Sequence, residues 1–200
     1  MNRILLFLVF ISPVLLFGQQ KTLPVNISVF NESTAIPFTR FVSTPIHPGI
    51  QMGTEFNFKV KEHSRLFLTA NLSYFYHNYL AQGIGLTSEL GYEYRLNSGL
   101  AFEGLIGLGY LHTFATAEEF KFADGNYQQK ADRGNARLYP SISIDIGYYL
   151  KANKNSPKLF IRYQSWVEYP YSPDFIPVMT HINLHLGAKF FITTKSKKNE

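Results

Sequence analysis

The sequence predicts an all-β chain, an eight-stranded antiparallel up-and-down transmembrane β-barrel. Three observations carry that prediction. Apolar residues alternate with polar residues or glycines in eight separate stretches, the period of two that a strand imposes. The two clearest stretches, Ile84 to Arg95 and Leu100 to Phe114, outlast the usual strand of about five or six residues and reach the roughly 9–11 that a tilted membrane strand needs. The connections sort by length, with short ones after the second, fourth and sixth strands and the two longest among the others, the asymmetry between the two ends of such a barrel.

Ahead of the strands, Met1 to Phe17 has a basic start at Arg3 and then an apolar run broken only by Ser12 and Pro13. The run is short for a membrane-spanning helix and stops at Gly18-Gln19-Gln20, so residues 1–18 read as a cleaved secretory signal. The barrel domain is then expected over 19–192. A polar basic tail with Lys195, Lys197 and Lys198 follows over 193–200. Cysteine is absent, which removes disulfides, thiol nucleophiles, thiolate metal sites and lipid attachment. Charged residues are 16% and aromatics also 16%, against about 25% charged in soluble domains. The net charge of +5 is modest, and much of the excess lies in the tail.

Val25, Ile27 and Val29 mark a short first strand, followed by an irregular segment from Asn31 to Pro48. The second places Ile50, Met52, Thr54, Phe56, Phe58 and Val60 on one face, opposite Gln51, Gly53, Glu55, Asn57 and Lys59. After Lys61-Glu62-His63-Ser64, the third carries Leu66, Leu68, Ala70, Leu72, Tyr74 and Tyr76. The fourth and fifth are joined by the tight Leu96-Asn97-Ser98-Gly99 turn, with Glu89, Glu93, Arg95 and Glu103 on their polar face. The sixth runs from Leu138 to Leu150 and is interrupted by Pro140, which cannot donate to a ladder; either a bulge forms there or the membrane strand begins just after it. Leu159 to Tyr169 and Ile182 to Ile192 complete the set.

With the apolar faces toward lipid, Phe58, Tyr92, Tyr94, Phe102, Tyr148 and Phe190 gather at one rim, and Tyr74, Tyr76, Tyr110, Phe114 and Tyr169 at the other. Such belts sit at membrane interfaces. The lumen then receives Glu55, Lys59, Glu89, Glu93, Arg95, Glu103, Arg137, Asp145, Arg162, Glu168 and Lys189. Eight strands enclose a space that side chains fill, so these nearly balanced charges are expected to pair across a packed lumen; an ion or proton path is the less favoured reading.

In strand count, connection pattern and the Gly18-Gln19 junction, the chain resembles the small OmpA- and OmpX-like outer-membrane barrels, and most of all the short barrels of Bacteroidota. The resemblance covers the pattern of the mature chain. It implies a bacterial outer-membrane location with both termini periplasmic and lipid as the surrounding partner. The C-terminus departs from the pattern, because Phe190, Phe191 and Ile192 are followed by eight further residues.

Some relatives of this shape modify lipid A. A lipid A deacylase of this class places a His and a Ser two residues apart near the external rim. His112 is suitably placed, but Phe114 stands where the serine is needed, and residues 19–24 are too short for the amphipathic helix of palmitoyl-transferring barrels. A non-enzymatic barrel is therefore expected. A soluble lipocalin-like barrel binding a small apolar ligand is the alternative, and it requires an apolar interior. His181 and His185 are four residues apart on one strand face, about 13 Å, too far to share an ion without partners from neighbouring strands, and they are expected to form hydrogen bonds in the lumen. No cofactor, metal or nucleic-acid partner is expected. Specific function is expected in the loops: the Asp-Gly turn signal within Phe120, Phe122, Asp124 and Tyr127 predicts a protruding hairpin continuing its flanking strands, and Tyr171 and Phe175 lie in a proline-rich connection over the mouth. An envelope protein partner would bind there.

Overall fold

The computed structural model describes residues 22–39, 41, 44–117, 120–123, 125–129, 131–151, 153, 155–172 and 175–193. The expected signal over 1–18, the lysine tail and Asp124 lie outside the described residues. Among the described residues there are eleven strands: β1 Thr22–Thr34, β2 His47–Val60, β3 Ser64–Tyr76, β4 Ala81–Arg95, β5 Leu100–Ala115, β6 Phe120–Ala123, β7 Asn126–Gln129, β8 Asn135–Leu138, β9 Ser141–Tyr149, β10 Lys158–Glu168 and β11 Met179–Thr193. Neighbours run β4-β3-β2-β1-β11-β10-β9-β5, and β4 also pairs with β5. That last pairing closes the main sheet into a barrel, which leaves no open edge in its wall among the described residues.

The barrel is eight-stranded because β8 and β9 act as one strand. β5 pairs with β8 from Tyr110 and Leu138, and with β9 from Gly107 and Ser141. The register is the same on both sides of Pro140, so the proline interrupts the strand without inserting a bulge. The first strand is longer than its apolar core suggests: pairing of β1 with β2 runs on to Glu32 opposite His47, so part of the expected irregular segment is strand. A register shift does occur in β2 between Asn57 and Lys59.

The wall is apolar outside and polar inside. Ile84, Leu86, Leu90, Leu108, Ile144, Ile146, Leu159, Ile161 and Leu186 are exposed, whereas Glu55, Glu89, Lys158, His185 and Lys189 are buried. Exposed apolar residues in a band around a closed barrel belong against lipid, and this is a membrane barrel of the outer-membrane type. The distribution is the reverse of a lipocalin's and overturns that alternative.

Inside, aromatic rings lean on glycines of the adjacent strand. Phe67 faces Gly91 and Phe30 faces Gly49 as direct cross-strand partners, and a Cβ at either glycine would stand 2.4 or 2.2 Å from the ring. Phe30, Phe75, Leu111, Tyr139 and Trp166 form the buried apolar layer of the lumen.

Both chain ends of the barrel and the short connections 61–63, 96–99 and 150–157 lie at one end, here the turn end. The longer connections 35–46, 116–134 and 169–178, with the short 77–80, lie at the loop end. The expected hairpin is present as the separate β6–β7 sheet. It does not continue β5 and β8 directly, because Asp132 accepts hydrogen bonds from the backbone N–H of Ala115 and of Gly134, each at 2.7 Å, and ends the ladder there.

Candidate functional site

The turn-end half of the lumen is a network of paired charges. Arg65 contacts Glu55, reaches Glu93 at 2.7 Å and Glu103 at 3.1 Å. Lys158 lies 2.6 Å from Glu103 and 3.1 Å from Asp145. Lys189 lies 2.8 Å from Glu55 and 3.2 Å from Glu103, and Arg162 lies 3.3 Å from Asp145 and 3.4 Å from Glu89. Glu89 also accepts from Asn71, Ser141, Ser143 and Gln164, and Glu93 from the Tyr149 hydroxyl at 2.8 Å. Charges withdrawn from water need such partners.

The sequence reading of the lumen set is only partly met by this geometry. Glu55, Glu89, Glu93, Glu103, Asp145, Arg162 and Lys189 share the network. Arg137 and Glu168 pair at 3.0 Å near the loop end, where Arg137 also donates to the Pro170 carbonyl. Arg95 donates to the carbonyls of Lys151 and Asn153 and stacks over Tyr149, at the turn-end rim. Lys59 is not in the lumen: it is exposed, and past the bulge it pairs with lipid-facing Leu66. Arg65 and Lys158 were missed. Stepping the alternation back one residue from Leu66 and from Leu159 puts both on the inward face, and that was the available signal.

The loop-end mouth is a cavity of about 290 Å³ lined by Glu32, Phe75, His77, Arg137, Glu168, Tyr171 and His181, among others. A turn-end cavity of about 190 Å³ shares none of its lining residues. Beneath the mouth, Trp166 stacks on His181 at 4.0 Å and donates to Asn183. His181 holds Glu32 Oε1 at 2.7 Å through Nδ1 and faces Glu168 at 3.4 Å through Nε2.

Beside it, Glu32, His47 and His77 form a row across β1, β2 and the end of β3. Glu32 and His47 are cross-strand partners, and carrying the β2–β3 register two residues past Gly49 and Phe75 sets His47 opposite His77. The two imidazoles stack at 3.5 Å. His47 Nδ1 donates to the Glu32 carbonyl at 3.2 Å, and in a neutral imidazole that bond puts the lone pair on Nε2. That Nε2 and Glu32 Oε2 are buried without a hydrogen bond. His77 Nε2 is 3.9 Å from Glu32 Oε2. Burial pushes the His77 ring below the ordinary imidazole value, aided by His47 and opposed by Glu32. The sequence hid this row because its members are up to 45 residues apart and meet only through register.

Of the loop residues, Phe120, Phe122 and Tyr127 are exposed at 57, 67 and 77%, and Phe175 at 83%. Phe122 and Tyr127 meet edge to face at 5.3 Å. Tyr171 is half-buried at the mouth, away from that hairpin. His112 has both ring nitrogens occupied, by the Tyr110 hydroxyl at 2.7 Å and the Arg133 carbonyl at 3.2 Å.

No family model matches the sequence, and no curated protein matches it. Among solved structures the chain is similar to Ail, the attachment invasion locus protein of Yersinia pestis, at 11% identity and a TM-score of 0.48, covering 87% of this chain and 100% of that one. It is similar to the outer membrane enzyme PagL at 11% identity and 0.49, covering 84% and 98%. It is similar to Neisserial surface protein A at 8% identity and 0.48, covering 86% and 96%.

Proposed function

We propose that this chain is a non-enzymatic protein of the bacterial outer membrane, exported by a cleaved signal over residues 1–18, with both termini periplasmic and a structural or interaction role exercised through its external loops. The loop end then faces outward, and an envelope complex in which the barrel is an accessory subunit is the setting that fits. One observation carries the reading: charged side chains fill the turn-end lumen while four aromatic rings, Phe120, Phe122, Tyr127 and Phe175, project into solvent from the loops. A filled lumen opposes bulk transport, and exposed aromatics are the residues that anchor protein interfaces. The occupied nitrogens of His112, with Phe114 where a hydroxyl nucleophile is needed, support the absence of lipid A hydrolysis.

Deleting residues 118–130 tests the reading. The barrel is expected to assemble, shown by a shift in gel mobility between unboiled and boiled samples, while partners crosslinked to the intact chain in whole cells are lost. A crosslinked set that survives the deletion refutes a platform at this hairpin. In planar bilayers the purified protein is expected to show no porin-like conductance; large steady channels would refute the filled lumen.

A further inference from the structure

We propose that Glu32, His47 and His77 form a binding site for one divalent transition cation of the zinc class, set in the loop-end mouth of the barrel. Their donor atoms all lie within 4.8 Å of one another. The residues are 0, 6 and 7% exposed. The row geometry explains the convergence, since neighbouring strands stand about 4.7–4.9 Å apart and cross-strand partners share a face.

Two of the three donors are already in ligand form. His47 is held by its Nδ1 bond to the Glu32 carbonyl, with no hydrogen bond at Nε2, and Glu32 is held by His181 on Oε1, with no hydrogen bond at Oε2. These are the outer contacts that orient metal ligands in proteins. A buried carboxylate oxygen and a buried imidazole nitrogen without hydrogen bonds are costly in a folded protein, and a cation between them satisfies both. His77 supplies the third donor once the long 3.3 Å contact from the Tyr79 N–H to its Nδ1 is released. Because the His47 and His77 rings stack at 3.5 Å with their planes 25° apart, the His77 ring must also turn off that stack for both imidazoles to face one ion. Metal–nitrogen distances of about 2.0–2.1 Å require the three donors to draw in by roughly 1 Å.

The donor set selects the ion. Two imidazoles and one carboxylate suit zinc, copper, nickel or iron, whereas calcium and magnesium take oxygen ligands. A fourth position opens toward the mouth cavity, where His77 and Glu32 contribute to the lining. Water or a donor atom from outside the cell can complete the sphere there.

The full-length chain, purified in detergent without a histidine tag, is titrated calorimetrically with zinc chloride and in parallel with calcium chloride. One zinc per chain is expected, with no calcium binding at the same concentrations. His77→Gln and His47→Gln are each expected to weaken zinc more than about 100-fold, beyond the roughly 10- to 100-fold that loss of an outer contact costs. His112→Gln is expected to leave it unchanged. Because His77 follows the last ladder residue of β3, His77→Gln keeps every strand intact, and heat-modifiable mobility verifies its fold. Cobalt loading is expected to give a visible absorption band that His77→Gln abolishes. Failure of folded wild-type protein to bind zinc at tenths of millimolar, or zinc affinity unchanged in folded His77→Gln, overturns the proposal.

Discussion

The two halves of the lumen handle buried polarity in opposite ways. In the turn-end half, five carboxylates and four cations satisfy one another, and every one has an ion-pair partner. In the loop-end half, Glu32 and His47 keep donor atoms buried and without hydrogen bonds, beside the mouth cavity of about 290 Å³. Paired charge rigidifies a wall that cannot rely on an apolar core. Unpaired polarity at the mouth stores the capacity to take up something else. Burial alone does not separate these roles; what separates them is ion pairing, since Glu103 Oε2, buried without a hydrogen bond, still lies 3.5 Å from the Arg162 guanidinium, whereas His47 Nε2 is buried without a hydrogen bond of any kind.

The largest test of the contrast is Glu103→Ala. Glu103 is within 3.5 Å of Arg65, Lys158, Arg162 and Lys189, so its loss takes one partner from each of four lumen cations and leaves the network with excess positive charge, and the stability against unfolding in lipid vesicles is expected to fall by about 3–5 kcal/mol. Trp166 is the sole tryptophan and is buried, so its fluorescence follows the transition. Gly91→Val is expected to cost about 1–3 kcal/mol by forcing the Phe67 ring off the wall. At the mouth, metal-free His77→Gln is expected to cost less than about 1 kcal/mol, because no strong hydrogen bond is lost. A His77→Gln cost as large as that of Glu103→Ala would erase the distinction between the halves. Smallest of all, removing residues 118–130 is expected to change barrel stability by no more than about 0.5 kcal/mol, measured by the same fluorescence transition.

What could be read in advance follows from where the information sits. Alternation lies within one strand, so the apolar bands of β4, β5 and β9, the Gly99 turn and the interruption at Pro140 were all legible. Pairing lies between strands. Lys59 was misplaced because Phe56, Phe58 and Val60 keep an apparent apolar alternation through a bulge that only β3 reveals. Arg65 and Lys158 fell one residue outside the recognised stretches. Glu32 and His47 were obscured by Pro45 and Pro48, which made the end of β1 and the start of β2 look irregular.

The connection after β1 has a further consequence for the surrounding bilayer. Phe38 stacks on Tyr163 at 5.2 Å and its N–H bonds the Tyr163 hydroxyl at 2.8 Å, and the outward-facing Ser33, Ser165 and Ile182 nearby are buried. Irregular backbone does not sit in hydrocarbon, so on this sector the acyl chains must end below Tyr163. On the far side, Tyr94, Tyr92, Leu90, Leu86 and Ile84 stay exposed along nearly the whole of β4. The membrane therefore meets a collar that is tall on one flank and low on the other, and it is matched by a leaning axis or by a leaflet thinned along β10 and β11.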